Sequence, residues 1–110
     1  SVAIWGLQAT WGGLARVMIN SNLGDIISTN EEGKYEFVMD SPNSMEALNK
    51  EIEWIEKRYM PDTEKGGAWD KPYIDFEASK AAFALTGGDW ALKRINEALV
   101  TDDFGVVHFP

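Results

Sequence analysis

The spacing of apolar positions changes along the chain, and each change marks an element. Trp11, Leu14, Ala15 and Met18 recur at i, i+3, i+4 and i+7, which predicts an amphipathic helix capped by Thr10 and stopped at Asn22 to Gly24. Gly12 and Gly13 weaken its first turn by about 1 kcal/mol each relative to Ala, which points to close approach of another group there. A short strand over residues 25–28 and a turn at Asn30-Glu31-Glu32-Gly33 follow. Tyr35, Phe37 and Met39 then alternate with Glu36 and Val38, as in a half-buried strand closing a hairpin.

Ser41-Pro42 starts a second helix, with a capping hydroxyl and proline in the first turn. Met45, Leu48, Ile52 and Ile55 form its predicted buried stripe, running to about Arg58. Glu46 with Lys50, and Glu53 with Lys57, are spaced as i,i+4 ion pairs on its wet faces. Met60-Pro61 ends it, and a polar loop over residues 61–71 holds a single Trp69. Pro72 opens a short helix with Tyr73 and Phe76 inward, and residues 81–86 read as a small apolar strand. The turn Gly87-Gly88-Asp89 leads into a last helix, capped by Asp89, with Ile95, Ala98 and Leu99 inward. Residues 104–109 read as a final strand; with 81–86 it flanks a helix as a parallel unit does. The expected fold is α/β and helix-rich: about four helices with a hairpin and two further short strands. There is no internal repeat.

Composition narrows the function. The 110 residues suffice for one domain; hydrophobic residues at 45% and charged residues at 25% are globular values. A net charge of -8 repels phosphate backbones, so no nucleic-acid partner is expected. No apolar run approaches the ~20 residues of a membrane span. With no cysteine, a disulfide framework, a thiolate zinc site and a cysteine nucleophile are excluded. The single histidine, His108, lies in the last apolar strand, which leaves no Ser/His arrangement to assemble. Glu53 and Glu56 share a helix face with Lys50, Lys57 and Arg58 and read as a balanced solvated face. Asp62, Glu64 and Asp70 resemble calcium ligands only loosely, because Gly66 stands where a third oxygen is needed. Asp102-Asp103 reads as turn chemistry. No metal, no cofactor and no enzymatic activity are expected.

Five tryptophans are many for one small core. Trp11 and Trp90 each stand at a helix start, directly after a cap residue, where α/β folds bind ligands. One reading makes them stacking faces for sugar rings, with Asp89 accepting hydroxyls; the other makes both indoles core filler at helix ends. Trp54 falls one position off the second helix's stripe, at the core edge, and Trp5 and Trp69 are assigned to packing.

The order of motifs carries a resemblance. Leu7-Gln8-Ala9-Thr10-Trp11, Arg16-Val17-Met18-Ile19-Asn20-Ser21-Asn22 with Gly24-Asp25, Gly33-Lys34-Tyr35 and Asp40-Ser41-Pro42 come first. Phe76-Glu77-Ala78-Ser79-Lys80-Ala81-Ala82, Thr86-Gly87-Gly88-Asp89-Trp90 and Phe104-Gly105-Val106-Val107-His108-Phe109-Pro110 complete the series. In this order they resemble the second lobe of maltose-binding-protein-like, extracytoplasmic solute-binding proteins of sugar ABC importers. The resemblance implies a two-lobed periplasmic-binding-protein fold that closes on a carbohydrate and delivers it to membrane permease subunits. It implies that residues 1–110 are a single incomplete domain, beginning at the crossover strand between the lobes. It places Trp11 and Trp90 as stacking residues, with Asp89 and Gln8 beside them in the ligand-binding set. Ala9-Thr10 stand where maltose binders carry an acidic residue and a proline, which points away from maltodextrin. A lobe without its partner exposes apolar surface and is expected to self-associate. The alternatives are a free-standing carbohydrate-binding module and a glycoside hydrolase fragment, the latter requiring two carboxylates about 5–10 Å apart.

Overall fold

A computed structural model describes residues 5–9, 13–62, 69–85, 90–98 and 104–109. Among these the chain is a mixed α/β arrangement of four helices and two small sheets. In order, the elements are β1 (Trp5–Ala9), α1 (Gly13–Ser21), β2 (Ile27–Thr29), β3 (Tyr35–Phe37), α2 (Pro42–Glu56), α3 (Lys71–Glu77), β4 (Ala81–Leu85) and α4 (Trp90–Ala98). β1 pairs in parallel with β4, aligning Trp5 with Ala81 and Ala9 with Leu85. β2 and β3 form the antiparallel hairpin, with Ile27 opposite Phe37 and Thr29 opposite Tyr35. The core gathers Ala9 of β1, Leu14, Met18 and Ile19 of α1, Ala47 of α2, and Met60.

Three helices stop by one device. Leu23, Arg58 and Ser79 take left-handed φ values near +60°, and the next residue donates its N–H five positions back. Gly24 donates to the Ile19 carbonyl at 2.9 Å, Tyr59 to Trp54 at 2.9 Å and Lys80 to Asp75 at 2.7 Å. With the companion bonds from Leu23 to Asn20, Arg58 to Ile55 and Ser79 to Phe76, each is a Schellman motif without the usual glycine at the left-handed position. At the first stop Gly24 is needed for a different reason. A Cβ there would stand 2.7 Å from Ser44 Oγ and 3.1 Å from Ser44 N, so its absence lets α1 close onto the start of α2.

That approach explains how α2 is turned. The predicted stripe placed Met45 and Ile52 inward, but both are exposed, and the buried positions are Ser44 and Ala47, with Leu48, Trp54 and Ile55 half-buried. Small residues at the crossing allow the backbones to come close, and Ser44 then satisfies its hydroxyl by donating to the Asp25 carbonyl at 2.9 Å. Ser41 holds the N-cap position of α2 without a side-chain cap bond; its hydroxyl donates instead to Ser44 Oγ at 3.0 Å. Lys57 pairs with Glu53 as expected, whereas Lys50 also goes to Glu53 and not to Glu46. The bonds from Lys57 first, then Lys50, hold the Glu53 carboxyl down at about 2. The predicted half-burial of the hairpin is also corrected. Tyr35 is 83% and Phe37 69% exposed, because the hairpin is anchored at its base, where Ile26 and Met39 pack on the core.

Residues 104–109 form no strand, and β4 finds its parallel partner in β1. Phe104 and Phe109, five positions apart, would face opposite sides of a strand. Here Phe104 packs edge-on against Phe76 at 6.3 Å, and Phe109 packs against the core beside Trp54. His108 is exposed in this irregular segment. In α4, Ala91 and Ile95 are buried and Ala98 is exposed; Leu99 and Thr86 lie outside the described residues.

The α1–α2 junction gives a paired expectation for urea unfolding. Gly24→Ala is expected to cost about 1–3 kcal/mol by overpacking against Ser44. Leu23→Gly, at an exposed left-handed position, is expected to add about 1 kcal/mol. An unchanged midpoint for Gly24→Ala would show that the helices do not need this approach.

Candidate functional site

The strand β1 turns Gln8 toward α3. Its side chain is 1% exposed, and its amide donates to Asp75 Oδ2. Asp75 itself is 2% exposed, and its other oxygen accepts from Lys71 Nζ at 2.9 Å, one turn back on α3. A buried carboxylate is tolerated only when both oxygens are engaged in this way. The opposite side of β1 is held too: the Tyr59 carbonyl accepts from the N–H groups of Gly6 at 2.9 Å and Leu7 at 3.2 Å. A Cβ on Gly6 would stand 3.3 Å from that carbonyl oxygen, a close approach that glycine makes easy.

Fixing Asp75 fixes Tyr73, which is fully buried two residues before it. Three groups converge on the Tyr73 ring. The Trp90 ring lies 5.3 Å away at 52°, and Trp69 lies 6.1 Å away at 69°, edge-on. The Arg94 guanidinium stands 5.1 Å from the ring centroid, a cation–π contact. Trp69 and Trp90 also meet each other, at 6.2 Å and 57°. Both remain half in solvent, Trp69 at 51% and Trp90 at 50% exposed. Arg94 Nε donates to Glu77 Oε1 at 2.8 Å, and Nη1 stands 4.0 Å from Asp70 Oδ2. The Glu77 bond pushes the guanidinium pKa up, keeping Arg94 charged beside the rings.

Of the expected ligand-binding residues, the structure describes Gln8 and Trp90. Trp11 and Asp89 lie outside the described residues, as do Thr10, Gly12, Glu64, Gly66, Asp102 and Asp103. Gln8 stands behind the surface, committed to Asp75, so it can position α3 but presents nothing to solvent. Trp90 stands half-exposed, with its ring against the buried Tyr73. Trp69, assigned to packing from the sequence, is brought against it; the readable sign was a lone indole in an otherwise polar loop. Asp70 holds the N-cap position of α3 but makes no side-chain cap bond. Among the described residues no three His, Cys, Asp or Glu side chains converge as metal ligands. Likewise no described helix is long and apolar enough to cross a membrane.

A separate groove of about 230 Å³ opens between α1 and α2, lined by Met18, Ala47, Trp54 and Phe109, with Glu46 and Lys50 at its rim. Comparison with protein-family models, curated proteins and solved structures finds no match.

The Gln8–Asp75 link has its own test. Gln8→Ala and Asp75→Ala should each lower the unfolding free energy by about 2–3 kcal/mol, the scale of a hydrogen bond to a charged group. The double variant should lose clearly less than the sum. Fully additive losses in denaturant titrations would mean that the two side chains stabilise the fold independently.

Proposed function

We propose that the chain is part of the second lobe of an extracytoplasmic solute-binding protein that captures a carbohydrate for an ABC-type importer. Capture proceeds by lobe closure, with Trp90 stacking on a sugar ring, and ends in delivery to membrane permease subunits; no chemical step is involved. The observation that carries this reading is the half-exposed Trp90 ring, seated on a buried tyrosine whose ring also receives the Arg94 guanidinium. An indole face pairs with the apolar face of a sugar ring, and neighbouring carboxylates accept its hydroxyls. The order of motifs along the chain supplies the two-lobed frame and adds Trp11 and Asp89 to the ligand set.

Exposed surface supports the incompleteness of the lobe. The chain exposes 7809 Å², whereas a compact monomer of this size exposes about 6,100 Å². Its radius of gyration is 16.0 Å, against about 13 Å for a compact chain of 110 residues. A parallel sheet is normally covered on both faces, yet Phe83 of β4 is exposed. The surplus of about 1,700 Å² exceeds the ~800 Å² per partner of a standard interface. The 110-residue chain is therefore expected to self-associate, and more so at high salt, which screens its net charge of -8. Light scattering across a concentration series checks this; a strict monomer at millimolar concentration counts against it.

For a glycoside hydrolase, two carboxylates must flank the sugar. Beside the indoles Glu77 is already held by Arg94, which favours binding over hydrolysis. A carbohydrate-binding module predicts ordinary sugar affinity in the isolated 110 residues; one wall of a two-walled cleft does not.

The stacking role is tested with two tryptophans. In the intact protein Trp90→Ala should weaken sugar binding by about 1–3 kcal/mol, as for a truncated aromatic contact in a desolvated site. Trp54→Ala should instead cost about 3–5 kcal/mol of stability with little change in affinity. Calorimetry and denaturant titration read both; Trp90→Ala that unfolds the protein while sparing binding would overturn the assignment.

A further inference from the structure

We infer that Trp69 is a second stacking residue of this site, with Asp70 as its hydroxyl acceptor, and that the ligand is an oligosaccharide of at least two rings. The inference rests on the carbohydrate reading above and extends it to a residue and a ligand length.

Three observations converge. Trp69 and Trp90 are exposed to the same extent and touch, with centroids 6.2 Å apart. Neither indole is spent on the core; the buried Tyr73 beneath both carries that role and fixes their orientation. Their planes are inclined by 57°. A single pyranose, which is close to flat, cannot lie on two faces at that angle. It covers one indole and leaves the other in water. Two linked sugar rings turn about their glycosidic bond and can meet both faces. An inclined pair of indoles therefore gains contact area only from a second ring.

Asp70 adds the polar half of the subsite. It follows Trp69 directly, and at an N-cap position an aspartate ordinarily accepts a backbone N–H of the first turn. Here it makes no such bond, and Oδ2 stands 4.0 Å from Arg94 Nη1, too far for a hydrogen bond. A carboxylate left at the rim beside an indole can accept from two vicinal hydroxyls at once, while Arg94 is taken up by its bond to Glu77.

The test is calorimetric titration of the intact protein with matched sets of sugars: glucose, maltose and maltotriose; cellobiose and cellotriose; xylose and xylobiose. The wild type should bind a disaccharide or trisaccharide at least about tenfold tighter than the corresponding monosaccharide. Trp69→Ala should lower affinity for that oligosaccharide by about tenfold and change monosaccharide binding by less than about twofold. Trp69→Phe, which keeps an aromatic edge on Tyr73, should recover most of the loss, and Asp70→Asn should weaken both disaccharide and trisaccharide binding several-fold. Thermal melting accompanies each variant. If Trp69→Ala melts early, the Phe variant decides by its affinity alone. Oligosaccharide binding that survives Trp69→Ala but is lost in Trp90→Ala overturns this inference and leaves the carbohydrate reading standing. No binding of any sugar to the wild type overturns both.

Discussion

The buried carboxylate of Asp75 is the group on which the arrangement turns. Left without partners in an apolar interior, a buried carboxylate would strongly destabilise the fold. Two donors from different places prevent this: the Gln8 amide from β1 and the Lys71 ammonium from the preceding turn of α3. The local pair, Lys71 to Asp75, gives α3 an internal brace; the distant pair, Gln8 to Asp75, sets how α3 lies on the strand. Because α3 is only 7 residues long, it has little helical stability of its own. Its place is set by this link, by Tyr73 and by the Schellman stop in which Lys80 returns to the Asp75 carbonyl.

From that anchor the surface chemistry follows by short steps. Asp75 and Tyr73 are both buried on α3, so the link that holds one seats the other. Tyr73 then offers a ring face and edge at the surface of the core. Trp69 enters from the residue chain before α3 and Trp90 from the first position of α4, so the two indoles belong to different elements. Arg94, one turn further along α4, closes the group by lying over Tyr73 and bonding Glu77 of α3. The ion pair thus ties α4 to α3, and the aromatic cluster is held from both sides. Large aromatic side chains with few torsions, seated on a rigid base, keep their surface arrangement at small entropic cost.

The sequence was most informative where the physics is local. The periodicity of Leu14 and Met18, the Ser41-Pro42 start, the i,i+4 spacing of Glu53 and Lys57, and the inward Tyr73 all reappear in the structure. Long-range partners were not legible. Nothing in residues 81–85 shows that their ladder runs to β1 and not to residues 104–109, since both are short apolar runs. The face of α2 was misread because apolar size suggested Met45 and Ile52, whereas close helix approach selects Ser44 and Ala47. Gln8 was singled out as a ligand residue, but a strand glutamine has two faces to choose from, and the one it takes depends on Asp75, far along the chain. The contact of Trp69 with Trp90 is illegible for the same reason: the partner stands on α4, far along the chain.

The exposed residues divide into two kinds, and the division bears on what the surface is for. Ile27, Tyr35 and Phe37 share one face of a hairpin that is joined to the body at its base. Phe83 likewise stands on a sheet of only two parallel strands, a form that is marginal without further cover. Both are apolar surfaces exposed to water. Trp69 and Trp90 differ in kind. They are backed by a buried ring, oriented by specific contacts, and bordered by Asp70, Glu77 and Arg94 within one small area. Apolar surface meant for another protein element gains nothing from flanking charges, which would have to be desolvated on contact. Apolar surface meant for a molecule with apolar faces and hydroxyl edges gains from both, because the edges remain hydrogen-bonded while the faces leave water. A buried ring beneath the indoles together with charged groups on the same elements distinguishes this patch from the exposed face of the hairpin.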